Sequence, residues 1–122
     1  MKLNMLLTTS AIVFALLGLV VMIAPEILFS GVILTEGSNA LIAYIRTPAS
    51  IVFGIAALNW MARNVGASDA RNAIVKANII WFGLALVLET LAFVSSLQVT
   101  MLGFAVVSLF FAAAFFWVWR NG

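Results

Sequence analysis

Residues 70–97 read ARNAIVKANIIWFGLALVLETLAFVSSL. From Ile79 to Val94 this stretch is almost wholly apolar, and the exceptions are Glu89 and Thr90. A run of this length and composition is a membrane-spanning helix, because the hydrocarbon layer is about 30 Å thick and takes roughly 20 apolar residues to cross. A charge within such a helix is costly and normally faces a partner or a watered interior. Glu89 therefore predicts a helix packed among others inside a membrane.

Three further stretches of this kind flank it. Apolar helices are expected over about 3–24, 39–63, 70–97 and 99–119, with an outer connection at 25–38. They account for most of the 122 residues, of which 66% are hydrophobic and 8% charged. The mean hydropathy of +1.24 places the chain outside the soluble globular class. The expected fold is all-α: one antiparallel, up-down bundle of four transmembrane helices, a single domain over 1–122. The short connections around Gly66 and Gln98 make sequential helices neighbours.

The boundaries follow from breakers and caps. Pro25 ends the first helix, and Ser38 or Asn39 can cap the second. Pro48 lies inside the second helix and frees the carbonyl of Tyr44, which predicts a kink near Arg46. Gly66 offers a stop, and Ser68 or Asp69 a cap for the third helix. Lys2 ahead of an apolar run has the look of a secretory leader, but the run is too long for one, so it is taken as a retained helix. The segment 25–38, PEILFSGVILTEGS, is too apolar for a free loop and is expected at the interface or folded back on the bundle.

Lys2, Arg63, Arg71, Lys76 and Arg120 fall at one side of this four-pass arrangement, whereas Glu26 and Glu36 fall at the other. The positive-inside rule then puts both termini in the cytoplasm, in a bacterial inner membrane. Trp60, Trp117 and Trp119 near the basic side and Tyr44 near the other have the positions of aromatic belts. The net charge of +2 and the pI of about 9.7 reflect these few loop charges and not a nucleic-acid surface.

Arg46 lies 17 residues before Arg63, and Glu89 lies 18 after Arg71. At 1.5 Å per residue both stand roughly 26 Å from the basic turn, at one membrane depth. Opposite charges at one depth on sequential helices are expected to pair, Arg46 with Glu89. Removing Glu89 alone is then expected to cost on the order of 3–5 kcal/mol by stranding Arg46, and a joint apolar change to recover most of it. At 100° per residue Arg71, Asn78, Glu89 and Ser96 share one stripe of the third helix. Asn39, Arg46, Ser50, Ala57 and Asn64 form a similar stripe on the second. Ser50 and Gly54 match a small-residue pair four apart that lets helices approach closely. Asn59 falls about 140° off that stripe and is expected to face another helix.

With neither Cys nor His, thiolate chemistry and the commonest general base and metal ligand are ruled out. No motif brings two carboxylates to one site, so no catalytic residue, no metal site and no enzyme are expected. The phenylalanine-rich FFAAAFFWVW of residues 110–119 reads first as packing against lipid or a partner. It could also hold a lipid, quinone or carotenoid tail.

The stretches IRTPASIVFGIAALNWMARN (45–64) and ARNAIVKANII (70–80) resemble small bacterial four-helix integral membrane proteins, loosely DoxX-like. The resemblance covers residues 46–80. It implies the four-helix architecture and the bacterial inner membrane, with Arg46 matching the group's arginine early in the second helix and Asn59–Trp60 its Asn-Trp step. It implies no catalytic residue. In size the chain is similar to small multidrug-resistance transporters, but those use an acid in the first helix, where this chain has none.

Three functions are compatible with these residues. The leading expectation is a non-enzymatic accessory or structural subunit in a larger respiratory, photosynthetic or oxygenase-type membrane complex, with membrane lipids and other subunits or itself as partners. The alternatives are a small dimeric proton-coupled transporter using Glu89 and a lipid- or quinone-binding module.

Overall fold

The computed structural model describes residues 2–29 and 39–122, and of residues 39–41 only the backbone. The expectations for the rest of the 25–38 connection, for a cap at Ser38 and for the side chain of Asn39 lie outside the described residues. The chain is all-helical, with no strand among the described residues: α1 spans Leu3–Ile23, α2 Asn39–Ala62, α3 Asp69–Ser96 and α4 Val99–Asn121. All four are long and apolar enough to cross a membrane. The chain is therefore built as an integral membrane protein, since helices satisfy every backbone group internally where no water is at hand.

Local chemistry sets the ends. Pro25 follows α1, and the amides of Leu28 and Phe29 bond back to its carbonyl, opening a short helical turn at 26–29. α2 runs through Pro48 without a break. Just before it, the Thr47 hydroxyl donates to the Ala43 carbonyl at 3.0 Å, and just after it the Ser50 hydroxyl donates to the Thr47 carbonyl at 2.7 Å. Hydroxyls thus decorate the carbonyls beside the missing proline N–H. Ser68 caps α3, its side chain accepting from the Arg71 amide at 3.2 Å. Leu97 closes α3 in the left-handed conformation, φ 56°, with its amide on the Phe93 carbonyl at 2.7 Å. A non-glycine residue there costs about 1–2 kcal/mol, and the cost is borne by the two-residue connection that folds α4 back onto α3.

The chain divides into two compact units. The larger comprises residues 2–6 and 62–122 and is dominated by the α3–α4 hairpin. Its partners run in opposite directions: Lys76 meets Trp119, Phe82 meets Phe111 and Phe115, and Glu89 meets Ser108. Phe82, 1% exposed, stacks on Phe111 at 5.3 Å and on Phe115 at 5.9 Å between ring centroids. Val75, Asn78 and Phe82 of α3 and Ala105, Ser108, Phe111 and Phe115 of α4 are buried at helical spacing. The phenylalanines of α4 divide accordingly, with Phe111 and Phe115 in the core and Phe110 and Phe116 outward.

The smaller unit, residues 7–61, is the α1–α2 pair, also antiparallel. The two helices come close at Gly18. A Cβ there would lie 3.1 Å from the Ala49 carbonyl oxygen and from Phe53 Cβ, and 3.2 Å from the Phe53 amide nitrogen. Gly54 has nothing within 4 Å of an added Cβ. Two glycines in one hairpin should therefore respond with opposite sign. Gly18→Ala is expected to destabilise by about 1 kcal/mol, because two of the three obstructing atoms are backbone and cannot turn aside. Gly54→Ala is expected to stabilise by up to about 1 kcal/mol through helix propensity. Unfolding in detergent with increasing sodium dodecyl sulfate reads both, and equal responses would refute the packing at Gly18.

Candidate functional site

Among the described residues, polar side chains meet inside the apolar helices of each unit. In the smaller unit Ser10 and Asn59 are fully buried, at 0% and 1% exposure. The Asn59 amide donates to Ser10 Oγ at 3.1 Å, and the Ser10 hydroxyl donates to the Leu7 carbonyl at 3.0 Å. Ser10 thus uses its donor along its own helix and an acceptor across the pair, which leaves no unmet polar group on it within an apolar interior.

In the larger unit Glu89 is half-buried on the α3–α4 interface, two turns before the end of α3. The Ser108 hydroxyl, itself buried, donates to Glu89 Oε2 at 2.7 Å. A hydroxyl bonded to a carboxylate is among the stronger neutral-donor bonds, more so where water is scarce. Glu89 shares the α3 stripe with buried Asn78, whose amide donates to the Ile74 carbonyl at 2.9 Å. Arg71 on the same stripe is half-buried, whereas Ser96, near the helix end, is exposed and bonds back to the Ala92 carbonyl. Opposite this stripe Ile80, Leu84, Val87, Leu88, Leu91 and Val94 are all exposed.

α2 is turned differently from its polar pattern. Arg46, Ser50, Gly54, Ala57 and Asn64 are exposed, while Ala49, Ala56 and Asn59 are buried. The close approach within this unit is made by Gly18 against Ala49 and Phe53, and not by the Ser50–Gly54 step. Arg46 stands on an exposed face beside Tyr44, which is 76% exposed. It lies two turns into α2, from which depth a long side chain can snorkel to an interface. Arg46 and Glu89 belong to different units, and the partner that Glu89 has within its own unit is Ser108.

Ser10, Gly18 and Ser108 carry no pattern that singles them out in sequence. Each is a small or polar residue in an apolar helix, and only its opposite number gives it a role. Beside Trp60, the small unit also carries an open, almost wholly apolar groove of about 430 Å³, lined by Ala11, Ala15, Leu16, Phe53, Ala56 and Met61 among others. Among the described residues no group of three or more acidic side chains could hold a metal ion. Comparison with protein-family models, with curated proteins and with solved structures finds no match to this chain.

Proposed function

We propose that the protein is a non-enzymatic membrane subunit that packs laterally within a larger membrane complex. The observation that supports this reading is the outward face of α3. Ile80, Leu84, Val87, Leu88, Leu91 and Val94 form an uninterrupted apolar strip of large side chains opposite the packed stripe. In the bilayer such a face can meet the apolar helices of a partner as readily as lipid tails, and the connections at 63–68 and 97–98 are short. In this reading the chain lies in a bacterial inner membrane. Both termini face the cytoplasm, where Lys2, Arg63, Arg71, Lys76 and Arg120 satisfy the positive-inside rule. A kinship with small DoxX-like four-helix proteins fits the same picture.

The test is gentle solubilisation of native membranes, capture of the protein and a native gel. Comigration with a large complex in fixed stoichiometry is expected, and migration as a small homo-oligomer while other complexes stay intact would overturn the subunit role.

The Glu89–Ser108 contact favours a second reading, a small proton-coupled transporter in which Glu89 takes and releases the coupling ion. Proton-driven uptake in vesicles would then vanish in Glu89→Gln, and uptake equal to wild type would exclude Glu89 from the coupling step.

A further inference from the structure

The ends of three helices line an open cavity of about 470 Å³ within the larger unit. Lys2 and Leu3 come from the start of α1, Ser68 and Arg71 from the start of α3, and Trp117 and Trp119 from the end of α4. Two cations line this space and no acidic side chain does. Arg71 Nε is buried and has no hydrogen-bond partner among the described residues. A buried donor left unmet costs free energy, and the same side chain lines the cavity, so an acceptor bound there would meet the guanidinium that carries it.

The rest of the lining narrows what that acceptor is. An arginine presents its donors as a planar fork that matches a phosphate or carboxylate, and a lysine adds a mobile point charge. The walls are part polar and part apolar, with Val75 and Val118 beside the cations. Trp117 and Trp119 are 64% and 44% exposed, and tryptophan is enriched where helices meet lipid headgroups. Lys76 Nζ lies 5.9 Å from the Trp119 ring centroid, which adds a third positive charge at this end and steadies one wall. The volume falls in the range of small-ligand sites.

We infer that this cavity binds an anionic phosphate group, held by the Arg71 guanidinium with Lys2 as the second cation. The same chemistry is presented by the phosphodiester of an anionic phospholipid and by free inorganic phosphate. The tryptophans and the apolar walls favour the lipid, whose glycerol end they would contact.

The experiment uses the full chain, stripped of lipid in a neutral detergent, with tryptophan fluorescence as the readout. The probes are short-chain phosphatidylglycerol, short-chain phosphatidylcholine and inorganic phosphate. Saturable binding of phosphatidylglycerol is expected, weakened by about tenfold or more in Arg71→Gln and less in Lys2→Gln, as loss of a charged hydrogen bond implies. Arg120→Gln is the control, since Arg120 is exposed and does not line the cavity. Inorganic phosphate binding as tightly as the lipid, with the same Arg71 dependence, would keep the site and make free phosphate its ligand. Arg71→Lys retains the charge and loses the fork, so it is read alongside in case Arg71→Gln fails to fold. Binding of neither anion, or binding equal to wild type in the folded Arg71 variants, would overturn the proposal.

Discussion

Phe82→Ala should cost the α3–α4 hairpin about 3 kcal/mol, at the low end of the 3–5 kcal/mol that buried aromatic truncations cost in water-soluble cores. The ring is 1% exposed and lies against Phe111 and Phe115 with interplanar angles of 24° and 15°. Its loss leaves a cavity in the hairpin and removes two aromatic contacts, each worth about 0.5–1.5 kcal/mol beyond area. The low end is expected because lipid tails are as apolar as the core, so little of the usual transfer free energy is at stake and packing supplies the rest. Leu91→Ala is the comparison: it is a large deletion on the same helix, but Leu91 is 60% exposed, and a change of less than about 0.5 kcal/mol is expected. Unfolding in mixed detergent measures both. A Phe82→Ala variant as stable as Leu91→Ala would mean that the three rings do not form the core of this hairpin.

That core is legible in sequence only in part. The helices are, because length and apolarity alone decide them, and Ser68 as a cap is, because a serine one residue ahead of a helical pattern has one obvious use. The α3 stripe is legible because a mid-helix acid and a mid-helix amide 11 residues apart share a face, and that face meets α4. The same rule fails on α2. Arg46 and Ser50 of α2 and Asn64 just beyond it are exposed, and the buried face carries Ala49 and Ala56 together with Asn59, which meets Ser10 of α1. Polarity in a membrane helix has two meanings, an interior contact or proximity to an interface, and Arg46 stands two turns into α2 while Asn64 lies beyond its end at Ala62. Apart from Asn59 that face carries no polar signal, although its alanines are what let two backbones come close. Gly18 is invisible for the related reason that its role is set by Ala49 and Phe53, some 30 residues on, and by nothing in its own neighbourhood.

Glu89 is where these two kinds of reading can be separated by magnitude. With Ser108 as its partner, Glu89→Ala should cost about 1–3 kcal/mol, the usual consequence of stranding a buried hydroxyl that had been bonded to a carboxylate. Adding Ser108→Ala to it should cost little more, because the bond is already gone, and the coupling in that cycle should be about 0.6 kcal/mol and no higher than about 1.7 kcal/mol, the average and the maximum for interhelical hydrogen bonds in membranes. A buried ion pair with Arg46 makes a different forecast. The single change would then cost on the order of 3–5 kcal/mol, and Arg46→Leu on top of it would recover most of that, since an unpaired charge would no longer be stranded. Without such a pair the Arg46 and Glu89 effects should add to within about 0.5 kcal/mol. The 2.7 Å bond from Ser108 favours the smaller cost. Recovery in the Arg46 double variant would instead make charge pairing between α2 and α3 the principal polar contact of the fold. It would also leave the Ser108 hydroxyl as one of two groups that share the carboxylate.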